Sequence, residues 1–130
     1  MTTWILAVLG LYLAQVFFAA SFGVVLTDDP AATTADHMRG KDLKPEKSII
    51  GGRAQRALDN LKESMPIFLA IALLLHINGT NDGMAQTGAI VFLVGRTLYV
   101  PAYLLAVYGL RTLMWSTGLV GMGLMASALF

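Results

Sequence analysis

The sequence lacks the residues that several common kinds of site require. It has no cysteine in 130 residues, which excludes disulfides, thiol nucleophiles and cysteine metal sites. It has only two histidines, His37 and His76, so we expect no bound metal. Charged residues make up 13% of the chain, where a soluble domain has about 25%. The net charge is only +1, so we expect no nucleic-acid partner.

Apolar residues dominate instead, and they form long runs typical of membrane spans. They make up 56% of the chain, and the run at 4–26 contains no charge. This run is long enough to cross a bilayer, which takes roughly 20 residues. A cleaved signal peptide is the alternative, because 19–21 resembles a cleavage region. Signal peptides begin with a basic segment and have a shorter apolar core, so the span is favoured.

The second apolar run is too short to cross a bilayer by itself. It covers 65–77, which is about 13 residues where roughly 20 are needed. No helix breaker separates it from the residues before it, so the helix must extend back through Asn60 and Glu63. A helix over 49–77 would be about 43 Å long at about 1.5 Å per residue. It therefore carries polar side chains into the bilayer.

Two further apolar runs follow the turn-forming residues 78–83. We predict an all-α membrane protein, a four-transmembrane-helix bundle that forms a single domain over 1–130. The predicted helices are at about 3–26, 49–77, 86–108 and 110–130, and a loop is predicted at 27–48. The fourth helix is rich in small residues suited to close helix packing: Gly118, Gly121, Gly123 and Ala126.

The positive charges concentrate at one end of the predicted bundle. Of nine Lys and Arg residues, all except Arg96 and Arg111 lie within 39–62. Arg111, at the junction of the last two helices, falls at the same end. Because short basic loops stay in the cytoplasm, the loop at 27–48 is predicted to be cytoplasmic and both termini to lie outside. We expect an integral, multi-pass protein of a bacterial inner membrane.

Polar residues align on one face of the second helix and one face of the third. Spacings of three and four residues place side chains on the same side of a helix. The second helix carries Arg53, Arg56, Asn60 and Glu63 at such spacings. The third carries Arg96, Tyr99 and Tyr103. Two aligned faces define a pocket, and these groups suit an anionic ligand rich in amides.

Glu63 and Arg96 lie at similar depths in the predicted bundle, about 22 Å and about 20 Å from the turn. Charged groups within a membrane are usually functional or paired. We therefore predict an ion pair between Glu63 and Arg96. Purely structural roles stay open: Arg53 and Arg56 would anchor the cytoplasmic end, and Tyr103 would belong to an aromatic belt.

Two stretches resemble a known family. The segment RAQRALDNLKESMPIF at 53–68 resembles the second-helix signature of the MAPEG family, the membrane-associated proteins in eicosanoid and glutathione metabolism. The matching positions are Arg56, Ala57, Asn60, Glu63, Pro66 and Phe68. The segment GRTLYVPAY at 95–103, followed by Arg111, resembles the family's third-helix pattern.

The resemblance implies a homotrimer of four-helix bundles that binds glutathione as a cosubstrate between neighbouring subunits. It implies glutathione contacts for Arg56, Asn60, Glu63, Tyr99 and Tyr103. From the aligned faces we add Arg53 and Arg96 to this set. The resemblance also implies that Arg111 stabilises the glutathione thiolate, which makes it the candidate catalytic residue. The second substrate would be a lipophilic small molecule, an electrophile or hydroperoxide, that arrives from the surrounding lipids.

Departures from the family pattern leave the activity open. Ser64 stands where some members have a tyrosine, and helix one has no arginine. Arg111 lies one residue farther from Arg96 than in the closest pattern. The alternative is a non-catalytic bundle, serving as a lipid-binding, scaffold or accessory subunit of a larger membrane complex. A channel or transporter is disfavoured because the sequence shows no pair of broken helices.

Overall fold

The computed structural model describes residues 1–25, 49–80, 82–105 and 108–130. The loop predicted at 27–48 lies outside the described residues. Those residues form four helices, which we number in chain order: α1 Thr2–Val25, α2 Ile49–Ile77, α3 Gly83–Leu104 and α4 Tyr108–Ser127. The predicted all-α bundle of four helices is confirmed.

Three of the described helices, α1, α2 and α3, are long and apolar enough to cross a membrane. Helix α4 is outside this group because glycine, serine, threonine and Arg111 interrupt its apolar residues. The outside of the bundle is covered with exposed apolar side chains, among them Phe17, Ile67 and Leu113. Such a surface is unfavourable in water and is expected where lipid or a neighbouring subunit covers it.

The helices pack as two antiparallel pairs. In the first pair, Val8 near the start of α1 lies in one core cluster with Phe68 of α2. Ala19 near the end of α1 clusters with Ala54 near the start of α2. In the second pair, α4 runs back along α3. The first described residues, the 78–80 turn and the end of α4 therefore lie at one end of the bundle.

Glycines bring α3 and α4 into close contact. A Cβ atom on Gly88 would lie 2.6 Å from the Gly121 carbonyl oxygen, and one on Gly121 would lie 2.5 Å from the Phe92 nitrogen. The predicted packing role is confirmed for Gly121 and also for Gly118, whose Cβ would contact Arg96. It is wrong for Gly123, because a Cβ there meets nothing within 4 Å.

Helix α3 begins earlier and ends earlier than predicted, and its caps explain both differences. Asp82 accepts a hydrogen bond from the Ala85 backbone N–H at 2.7 Å, which starts the helix at Gly83. At the other end, Arg53 Nη1 of α2 donates to the Leu104 carbonyl oxygen at 2.9 Å. This donor satisfies a terminal carbonyl that a longer helix would pair with a backbone N–H.

Candidate functional site

The polar faces of α2 and α3 are joined at Asn60 and Arg96. Arg96 Nη1 donates a hydrogen bond to Asn60 Oδ1, joining the two helices. The predicted ion pair between Glu63 and Arg96 is wrong: these two described residues form no ion pair, and Glu63 is exposed. The guanidinium donates its hydrogen bond instead to the shorter Asn60 side chain, one turn closer to the start of α2.

Arg96 is buried beside two aromatic rings of its own helix, those of Phe92 and Tyr99. Its side chain has 2% of its surface exposed, and its guanidinium carbon lies 5.4 Å from the Phe92 ring centre and 6.0 Å from the Tyr99 ring centre. Phe92 in turn stacks on Phe68 of α2 at 4.5 Å. Ring faces attract cations, so the two rings stabilise the buried guanidinium.

Tyr103 lies beside two further arginines. The guanidinium carbon of Arg111 is 5.0 Å from its ring centre, and that of Arg56 is 6.0 Å away. Tyr99 lies one turn earlier on α3, and its ring centre is 5.5 Å from that of Tyr103. The fold thus brings the catalytic candidate Arg111 onto the predicted tyrosine face, although its spacing in the sequence departs from the family pattern.

These side chains line an open cavity of about 300 Å³, which we call the polar pocket. Its lining comprises Asn60, Tyr99, Tyr103, Arg111, Thr112 and Trp115. The pocket therefore combines a guanidinium, an amide and hydroxyl groups within a bundle that is otherwise apolar. Such a set binds carboxylate and carbonyl oxygens and stabilises negative charge.

A smaller cavity of about 140 Å³, the apolar pocket, adjoins the polar pocket and shares Asn60 and Trp115 with it. The remaining lining residues are Glu63, Ser64, Ile67, Arg96, Leu119 and Met122. Ser64 is buried, and its hydroxyl donates to the carbonyl of Leu61 in its own helix at 3.1 Å. Ser64 thus contributes no long polar side chain to either pocket.

Arg53 lines neither of these two pockets, because its guanidinium binds the end of α3. Arg56 is exposed, and its described contact is with the Tyr103 ring at the edge of the polar pocket. The structure therefore brings five of the predicted residues around the polar pocket: Arg56, Asn60, Tyr99, Tyr103 and Arg111. It sets Glu63 and Arg96 beside the apolar pocket.

Replacing Arg53 with glutamine should reduce stability more than ligand binding. The change removes a charge-assisted hydrogen bond to a helix terminus, and we expect the free energy of unfolding to fall by about 1–2 kcal/mol. Unfolding in detergent by heat or denaturant measures this. Lys62→Gln is the control, because Lys62 forms an exposed pair with Asp59. A large loss of ligand affinity without a loss of stability would instead assign Arg53 to ligand binding.

Sequence reasoning missed five residues that line the two pockets: Ile67 on α2, and Thr112, Trp115, Leu119 and Met122 on α4. It named Gly118 as a packing residue only. Trp115 follows Arg111 by one helical turn, so the spacing of four residues was an available signal. Gly118 carried no signal beyond its small size. Its role depends on where the Arg96 side chain lies across the helix interface.

A larger cavity of about 370 Å³ lies at the opposite end of the bundle, beside Met1, His76 and Thr80. None of the arginines of the polar faces lines it. In the described parts of the chain, no cluster of His, Asp and Glu side chains could hold a metal ion. The polar pocket with its apolar neighbour is therefore the candidate functional site.

The comparisons with known proteins agree with this architecture. The model of the MAPEG family matches residues 1–130, the whole chain. Neither a curated protein nor a solved structure matches the chain. The family is one of helical membrane bundles, in agreement with the three described helices that can cross a membrane. The chain is an integral membrane protein and belongs to the MAPEG family.

Proposed function

We propose that the protein is a membrane-bound, glutathione-dependent transferase or peroxidase that acts on a lipophilic electrophile or hydroperoxide. The observation that carries the proposal is the polar pocket, in which Arg111 faces Tyr103 beside Asn60 and Tyr99. Glutathione presents carboxylates, amide carbonyls and a thiol. The guanidinium, amide and hydroxyl groups of this pocket complement these groups.

In this proposal Arg111 stabilises the glutathione thiolate. A nearby cation favours the ionised form of a thiol, and the thiolate is the reactive nucleophile. The arginine remains protonated throughout, so it stabilises charge and transfers no proton. With an electrophile, the sulfur forms a bond to carbon. In a substitution the leaving group departs with the electron pair of its bond to that carbon; in an addition the π electron pair moves to the neighbouring atom, which takes a proton from water.

The lipophilic substrate would lie in the apolar pocket. That pocket adjoins the polar pocket at Asn60 and Trp115 and is walled by Ile67, Leu119 and Met122. Leu119 of α4 is also exposed on the outside of the protomer, where lipid would reach it. A substrate dissolved in the bilayer would thus enter beside the thiolate without crossing water.

We further propose that the protein assembles as a homotrimer, with glutathione bound between neighbouring subunits. Glu63 is exposed on the side of a membrane-spanning helix, and so is Arg56. Exposing a charged side chain to hydrocarbon is costly, and a neighbouring subunit that covers this face would remove the cost. The polar pocket is also open on one side, which leaves room for a second subunit to complete it.

We propose a bacterial inner membrane as the location, with both termini outside the cytoplasm. The polar pocket lies toward the end of the bundle at which α3 ends and α4 begins. The concentration of basic residues within 39–62 supports a cytoplasmic position for that end. Cytoplasmic glutathione would then reach the pocket directly.

Equilibrium binding to the purified protein in detergent tests the proposed function. We expect millimolar or tighter affinity for glutathione, together with the ultraviolet absorbance of a bound thiolate. S-methylglutathione is the control ligand, because it keeps the peptide and cannot ionise at sulfur; it should give no thiolate signal. The proposal fails if glutathione shows no affinity at millimolar concentration and no thiolate signal appears.

A non-catalytic role as a lipid-binding or accessory subunit of a membrane complex is the second candidate. It is favoured by Ser64, whose hydroxyl bonds to its own helix rather than reaching toward the pocket. This candidate predicts purification with a stoichiometric partner and no conjugation activity. Turnover of a lipophilic electrophile by the purified chain alone would exclude it.

A further inference from the structure

The guanidinium of Arg96 packs closely against α4 at Gly118, where no side chain stands between them. A Cβ atom on Gly118 would lie 3.0 Å from Arg96 Nε and 3.4 Å from Nη2. Both nitrogens are buried and have no hydrogen-bond partner among the described residues. The one hydrogen bond that the guanidinium makes in the described chain is the bond to Asn60 Oδ1. A side chain at residue 118 would therefore push the Arg96 guanidinium away from its present position.

The position of Arg96 determines in turn how the Asn60 amide is oriented. A guanidinium only donates hydrogen bonds, so it selects the amide oxygen of Asn60 and not the nitrogen. The Asn60 NH₂ group is left on the side away from Arg96. In the described part of the chain, no acceptor forms a hydrogen bond with this NH₂ group. Asn60 also lines the polar pocket. The amide therefore offers the pocket hydrogen-bond donors.

We propose that Gly118 and Arg96 are positioning residues that hold Asn60 as an obligate donor in the polar pocket. Arg111 also offers only donors, so the two side chains select a ligand group that accepts hydrogen bonds, a carboxylate or an amide carbonyl. The identification of this ligand as glutathione rests on the proposed function. Gly118 of α4 positions Arg96 of α3, and Arg96 in turn orients the side-chain amide of Asn60 on α2.

The change Asn60→Asp tests the role of the Asn60 NH₂ group in ligand binding without disturbing the fold. A carboxylate has nearly the same shape and still accepts the bond from Arg96, so the fold should persist. The donor that faces the pocket is lost and a negative charge replaces it. We expect glutathione affinity to fall about 10- to 100-fold, the effect of losing a hydrogen bond to a charged group. Unchanged affinity in a folded Asn60→Asp protein would overturn the proposal.

A double-mutant cycle tests whether Gly118 acts through Arg96. Gly118→Ala should lower glutathione affinity about tenfold, because the new methyl group displaces a guanidinium that orients a ligand-binding amide. In the Arg96→Ala background the same change should alter affinity by less than about twofold, since nothing remains to displace. An equal loss in both backgrounds would show a general packing effect and contradict the proposal. Gly123→Ala is the matched control on the same helix.

A nuclear magnetic resonance measurement without glutathione separates this proposal from the proposed function. The Asn60 side-chain NH₂ signals are identified by their loss in Asn60→Asp. They should shift in Gly118→Ala and stay in place in Gly123→Ala. Signals that do not shift in Gly118→Ala overturn the positioning proposal, whether or not glutathione binds. Signals that shift in a protein without glutathione affinity support the positioning proposal and overturn the proposed function.

Discussion

Under the proposed function, replacing Arg111 with alanine should lower the kcat of glutathione conjugation about 100-fold and leave the bundle folded. Opposite charges shift a thiol toward its ionised form by about ten- to a thousandfold, and loss of one preorganised charge-stabilising group costs about 100- to 1000-fold. Arg111 also contacts the Tyr103 ring, whose centre lies 5.0 Å from its guanidinium carbon, and a contact of this kind contributes about 0.5–1 kcal/mol to stability.

These magnitudes allow chemistry and stability to be distinguished in a single variant. A 100-fold loss of rate corresponds to about 2.7 kcal/mol, well above the contribution of the contact with the Tyr103 ring. Arg111→Lys should recover part of the activity, because an ammonium also stabilises a thiolate. The thiolate absorbance of bound glutathione should fall in Arg111→Ala in parallel with kcat. Full activity in Arg111→Ala would show that another group carries the charge.

The control for charge removal is Lys62→Ala. Lys62 is exposed and pairs with Asp59 at 3.3 Å, one helical turn away on α2. Exposed pairs of this kind contribute little, about 0–1 kcal/mol. We expect this variant to keep both the activity and the thiolate signal of the unmodified protein. A comparable loss there would point to a general effect of net charge.

Replacing Gly121 with alanine should destabilise the bundle by about 3 kcal/mol, the upper end of the usual cost of overpacking. Its new methyl group would lie 2.5 Å from the Phe92 nitrogen and 2.7 Å from the Gly88 carbonyl oxygen. These are backbone atoms, which cannot rotate away, so α3 and α4 must separate. The better helix propensity of alanine, about 0.5–1 kcal/mol, offsets only part of the loss.

Separation of α3 from α4 would also disturb the site. Tyr103 and Arg111 lie on opposite sides of this interface, and so do Arg96 and Gly118. We therefore expect Gly121→Ala to lose activity together with stability, unlike Arg111→Ala. Unfolding in detergent measures the stability, with Gly123→Ala as the control. Equal stability of the Gly121→Ala and Gly123→Ala proteins would contradict the packing argument.

The sequence was sufficient to predict the polar faces, and this part follows from helical geometry. Residues spaced three and four apart share a side of a helix whatever its neighbours are. The structure accordingly brings Arg56, Asn60, Tyr99 and Tyr103 around one cavity region. The short apolar run at 65–77 also required that polar residues enter the bilayer, because a span has a minimum length.

The choice of partner across the interface could not be predicted in the same way. Estimated depths placed Glu63 and Arg96 level with each other, yet Arg96 binds Asn60. Depth along a helix axis differs by only about 1.5 Å per residue, and the axis position says nothing about rotation. Arg53 is a second example. Its side chain lies on the predicted face and reaches the end of α3 rather than the pocket.

The sequence by itself determined that the helices lie in lipid, how many helices there are and which residues form the polar faces. These follow from the length of apolar runs and from periodicity, which are properties of single segments. Only the tertiary structure decided that Gly118 and Gly121 are close to α3 while Gly123 is not, and that Asn60 accepts the bond from Arg96. These features depend on how two helices rotate and approach each other. An ångström of separation there decides which atoms touch, and no segment carries that information alone.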